Sequence, residues 1–81
     1  MNENLEYIVE TIKELSQELP SKPKTKISEL ISHIQKLPEE LDSNEILRIQ
    51  DEIEFISNMA NVDSLTRIEL SNIISDLEGL L

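Results

Sequence analysis

The sequence predicts an all-α protein, an up-and-down four-helix bundle made of two similar helical hairpins. Apolar residues recur at spacings of three and four through four separate stretches, which is the period of a helix with one buried stripe. Prolines stand only at the breaks between those stretches. The first half can also be laid on the second with a nearly constant shift, as expected of a repeated hairpin.

The first stretch, from Asn4 to Leu19, carries Leu5, Ile8, Ile12, Leu15 and Leu19 as a narrow seam, with Glu3, Glu6, Glu10, Glu14 and Glu18 on other faces. Pro20 disfavours the α region at Leu19 and should stop the helix there. Pro20-Ser21-Lys22 reads as a loop, and Pro23 suits the first turn of helix two, where its missing N–H has no partner to lose. Helix two then places Ile27, Leu30, Ile34 and Leu37 on one stripe, widened by Ile31.

The central segment from Leu37 to Glu45 ends one hairpin and starts the other. Pro38 closes helix two, Asp42 can accept from the backbone N–H of Glu45, and the Glu45 side chain can reach back as a capping box. Leu41 and Ile46 occupy the staple positions around that cap. Helix three repeats the seam at Ile46, Ile49, Ile53 and Ile56 and should end near Asn58. After the turn Ala60-Asn61-Val62, Asp63 or Ser64 caps helix four, whose stripe is Leu70, Ile73, Ile74, Leu77 and Leu80. Gly79 offers a permissive residue at its C-terminal end.

A shift of 41 residues places Leu5, Ile8, Ile12, Leu15 and Ser16 on Ile46, Ile49, Ile53, Ile56 and Ser57, and Thr25-Lys26-Ile27 on Thr66-Arg67-Ile68. Beyond Ile27 a shift of 40 fits better, setting Leu30, Ile34 and Leu37 on Leu70, Ile74 and Leu77. The hairpins are therefore expected over 4–37 and 42–79 of a single domain spanning 1–81.

The totals exclude whole classes of function. At 81 residues the chain has little room for a buried catalytic cleft. With no Cys it can form neither a disulfide nor a thiolate metal site. Its N-terminal residues are polar and acidic, and no stretch approaches the roughly 18 apolar residues of a membrane span, so a cytoplasmic location is expected. A net charge of -10 repels nucleic acid backbones and anionic membranes and favours basic partners. Its periodicity, with 38% apolar residues, argues against disorder.

Each candidate site has a plainer reading beside it. His33 follows Glu29 by one helical turn, a spacing that two metal ligands can share, but the inward positions of this bundle are Leu and Ile, not the inward Glu and His of a di-iron bundle. His33 reads as a boundary side chain, and no metal or cofactor is expected. Glu39 and Glu40 read as a solvated face, not as a catalytic pair. No nucleophile and base share a motif, and the only Gly is Gly79, so no enzyme activity is expected. Lys22, Lys24 and Lys26 at the start of helix two, with Arg67 in the second hairpin, form a candidate anion site where backbone N–H groups also point outward. Their plainer role is charge compensation by Glu14, Glu18 or the other hairpin, with Arg67 tying the two turns together or to an acidic helix end.

Apolar residues that miss the stripes are the most informative. At about 100° per residue, Leu47 and Phe55 fall far from the helix-three seam, and Leu65 and Ile68 fall equally far from the helix-four seam. Together on one exposed surface they would bind another protein or a second copy of the chain; otherwise neighbouring helices cover them.

Through Ile56-Ser57-Asn58, Asn61, Thr66-Arg67 and Ser75-Asp76-Leu77-Glu78, with Pro23 at the first turn of helix two, the chain resembles a family of small archaeal proteins of unknown function. That resemblance implies a four-helix bundle in an archaeal cytoplasm and implies no activity. The expected function is a noncatalytic interaction module, homodimeric or bound to another protein. The alternatives are a phosphate or small-anion binder using the lysine turn, and an acidic protein that occupies nucleic-acid-binding surfaces of others.

Overall fold

A computed structural model describes residues 2–81, which form four helices: α1 Glu3–Ser16, α2 Ser21–Gln35, α3 Ser43–Ser57 and α4 Ser64–Glu78. Each helix packs on the next and α1 closes against α4, while the diagonal pairs make no close backbone approach. The result is an up-and-down bundle of two hairpins. Its extents of 34 × 20 × 18 Å leave room for two helices in each short direction at the usual spacing of about 10 Å.

Side chains start three of the helices. Asn2 accepts from the Asn4 N–H at 2.9 Å, Asp42 from Glu45 at 2.9 Å and Asp63 from Thr66 at 2.7 Å. The Asp42 cap forms as the sequence predicts, with Leu41 packed against the core beside buried Ile46, but Glu45 does not complete the box. Its Oε2 is enclosed without a hydrogen-bond partner. For α4 the cap is Asp63. α2 begins at Ser21, two residues before Pro23, and its cap Pro20 supplies no side-chain acceptor.

The helix ends differ from the sequence reading. α1 stops at Ser16, not Leu19, because the chain tightens into i→i−3 bonds from Gln17 to Glu14 and from Leu19 to Ser16 before Pro20. α2 stops at Gln35 in the same way. Gly79 ends α4 at φ -65°, an ordinary right-handed conformation, so its conformational freedom is not used.

The core takes every predicted central position: Leu5, Ile8 and Ile12; Ile27, Leu30 and Ile34; Ile46, Ile49, Ile53 and Ile56; Leu70, Ile73 and Leu77. Leu15, Ile31, Leu37, Ile74 and Leu80 pack against its edge. Buried residues outside the predicted stripes are Val9, Pro23, Gln50 and Val62, and of these Val9 and Gln50 are equivalent under the shift of 41. Val9 and Gln50 each widen the stripe of the first helix of their hairpin. Where Val9 is apolar, Gln50 donates through Nε2 to the Ile74 carbonyl at 3.0 Å and to Glu78 Oε1 at 3.2 Å, pinning α3 to α4.

The second helices of the hairpins do not follow the sequence overlay. Ile27 is buried whereas Ile68, its partner under that overlay, is exposed. Burial instead matches Ile27, Leu30 and Ile34 with Leu70, Ile73 and Leu77, a shift of 43. The cause is the connection: residues 17–20 join α1 to α2, whereas 58–63 join α3 to α4, and the two extra residues carry the register forward.

Ile53 is fully enclosed, and truncating such a side chain costs about 2–5 kcal/mol, comparable to the whole stability of a domain this small. Ile53→Glu is therefore expected to abolish helical circular dichroism at 25 °C. A helical spectrum with an unchanged melt would refute the core assignment. Gln50→Ala should cost about 1 kcal/mol by urea titration, since it removes two interhelical hydrogen bonds but leaves the Ile74 carbonyl in its own helix. No loss would mean that Gln50 does not tie the helices.

Candidate functional site

Four grooves run between neighbouring helices, and the wheel position of each surface residue decides which groove it borders. On α2, Lys22 and Lys26 face α3 and line a shallow pocket with Ser21, Thr25, Glu29 and Met59. Lys24 sits about 160° from Lys22 on the wheel, toward α1. Lys26 pairs with Glu29 of its own helix at 3.4 Å. Arg67 donates to the Met59 carbonyl at 3.2 Å, closing its own α3–α4 turn, and its charge also acts on Asp63, the acid at the start of α4. The four predicted anion-site cations thus do not share a pocket.

His33 is not joined to Glu29. Its Nδ1 lies 2.9 Å from Glu52 Oε1 across the α2–α3 groove, with both side chains partly exposed. Among the described residues no three potential metal ligands gather. Half-exposed pairs of this kind contribute at most about 1 kcal/mol, so the pair sets the relative position of two helices more than their stability.

The off-stripe apolar residues are exposed: Leu47 by 46%, Phe55 by 62%, Leu65 by 66% and Ile68 by 59%. They do not face one way. Phe55 borders the α2–α3 groove, a depression of about 260 Å³ that it shares with Lys26, Glu29, Leu30, Glu52 and Ile56. Leu47 lies about 80° away on α3 and turns toward α4, on the same flank as Gln50. Leu65 sits within about 20° of Asp76 on α4, and Asp76 lines the groove against α1; Ile68 points outward beside Leu65.

That α1–α4 groove holds a residue that the sequence reading passed over. Tyr7, the only Tyr in the chain, is 69% exposed and lines a depression of about 370 Å³ with Asn4, Ile8, Asp76 and Leu80. Its signal is present in the sequence, as a large aromatic side chain well off the Leu5-Ile8-Ile12 seam. No family model, curated protein or solved structure matches this chain. No helix among the described residues is long and apolar enough to cross a membrane.

The Thr66 hydroxyl and the Thr66 backbone N–H donate to Asp63, and Arg67 adds a weaker attraction that slight desolvation opposes, so the Asp63 carboxyl is held below its ordinary 3.8. A depressed folded value means that the cap contributes fully above the ordinary carboxylate range and is lost as pH falls through the folded value. Asp63→Asn, which keeps an acceptor but cannot titrate, should therefore show a shallower loss of melting temperature than the parent between pH 5 and about pH 2. Parallel curves would separate the cap from acid unfolding.

Proposed function

We propose that this chain is a noncatalytic protein–protein interaction module of an archaeal cytoplasm, acting through its surface on another protein or on a second copy of itself. The observation that carries this reading is the exposure of Tyr7, Phe55, Leu65 and Ile68, each more than half open, on a bundle whose core is already filled by other residues. Large apolar side chains that add nothing to the core are available for contact with a partner, as Tyr7 and Leu80 are where they line one groove. The wide spread of carboxylates keeps the chain soluble while these residues stay open.

Phe55→Asp is expected to leave the helical spectrum and melt intact and to abolish self-association, read as a light-scattering mass that falls to the 9.3 kDa monomer. A mass unchanged by the substitution would remove Phe55 from any self-contact. A parent that is monomeric at every concentration, and that retains no protein from lysate after a high-salt wash, would sink the interaction reading.

A second reading, binding of phosphate or another small anion, is favoured by one observation: the first turn of α2 has neither a side-chain cap nor an acid, and Lys22 and Lys26 border it. An anion at one hundred times its dissociation constant adds about 2.7 kcal/mol of stability. Phosphate should then raise the melting temperature of the parent and not of a Lys22→Ala/Lys26→Ala variant; equal curves with and without phosphate would dismiss this reading.

A further inference from the structure

The cations of this chain are distributed to one side. Of the seven Lys and Arg residues, Lys22, Lys24, Lys26 and Lys36 belong to α2 or its cap, and α2 makes no close backbone approach to α4. Arg48 lies about 160° from Gln50 on α3, away from α4. Lys13 faces the α1–α2 groove beside Gln35, and Arg67 is held at the Met59 carbonyl on the opposite side of α4 from Asp76. None of the seven borders the α1–α4 groove.

The face around that groove mixes exposed apolar side chains with carboxylates and carries no Lys or Arg. Tyr7 and Leu80 line one end, and Leu65 stands toward the other, about 22 Å along α4. Glu14 follows Tyr7 within about 20° on α1, and on α4 Asp76 and Glu69 lie about 20° and 40° from Leu65, both toward the core stripe. α1 and α4 also make the least extensive helix–helix contact of the bundle, so the apolar edge between them is the least covered.

We infer that the α1–α4 groove docks a basic amphipathic helix of another protein, with the apolar stripe of that helix on Tyr7, Leu65 and Leu80 and its Lys or Arg flanks against Glu14, Glu69 and Asp76. Charge selects this occupant. A second copy docking through the same face would bring carboxylates against carboxylates, which is unfavourable, whereas a basic helix brings cations to them. The shape is that of helix-in-groove recognition, and the span from Leu65 to Leu80 calls for an occupant of about four turns. This inference rests on the interaction-module reading and names its partner class.

The test uses the full chain and a fluorescein-labelled peptide of Leu and Lys, about 18 residues long, ordered so that Leu forms one helical stripe. Fluorescence polarisation should show binding that weakens with salt. It should be at least about tenfold tighter than for a scrambled peptide of the same composition, and should fall by about tenfold or more in Tyr7→Ser/Leu65→Ser and in Asp76→Lys. Glu54→Lys, an equal change of charge on α3, should lose much less, and Phe55→Ser almost nothing. Both apolar substitutions are at exposed positions, and circular dichroism verifies the fold.

Equal affinity for ordered and scrambled peptides would overturn the basic helix as occupant. Loss with Phe55→Ser and not with Tyr7→Ser/Leu65→Ser would overturn the assignment of the groove and leave the interaction reading standing. A dimer that becomes monomeric in Tyr7→Ser/Leu65→Ser would put a second copy in the groove and overturn the inference likewise.

Discussion

A helix of 14 or 15 residues is marginal in water by itself, and all four helices here are of that length. With no cysteine to cross-link them, they persist only by burying their apolar stripes against one another, at about 25 cal/mol for each Å² of apolar surface removed from water. The stripes are narrow, and the core is built almost entirely from Leu, Ile and Val. A narrow stripe leaves more than half of each helix facing outward, so charge, exposed apolar side chains and any partner surface must all be accommodated there.

The helix ends show how the chain divides its turning points. Short polar side chains fix three of the N-termini, whereas every C-terminus winds down through i→i−3 bonds with no left-handed residue. α2 is the exception at its start, with rigid backbone in place of a side-chain cap: Pro20 sits at the cap in extended conformation and Pro23 is buried in the first turn. Pro23 contributes no N–H at a position where none could be bonded within the helix, so its ring serves as core at little cost to the backbone.

The stripes were legible because a period of 3.6 and a buried face leave the same mark on the sequence. Asp42 was legible too, because a cap is a local interaction between residues three apart. What failed needed distances that the pattern does not contain. Ile68 matches Ile27 by eye, yet two extra residues in the second turn rotate it into solvent. Gln50 was passed over because a polar side chain between apolar neighbours reads as surface, and only the approach of α4 supplies the Ile74 carbonyl that makes its burial favourable. The same missing knowledge left open whether Leu47, Phe55, Leu65 and Ile68 share one exposed surface or are covered by neighbouring helices. A wheel gives the angle from the stripe, but the order of helices around the bundle decides which groove that angle meets.

That order also separates the charges. In an up-and-down ring three of the four grooves lie between helices joined by a short turn, and the fourth joins the first helix to the last with no connection of its own. Only this closing groove depends wholly on side-chain packing, and here it is the one with the least contact. Asp76 lines this groove and Glu69 stands beside it on α4, and no Lys or Arg borders them. A positively charged segment against them would supply the missing cations and cover the apolar edge in the same step. The groove with the least contact between its own helices is therefore also the one that a basic partner would suit.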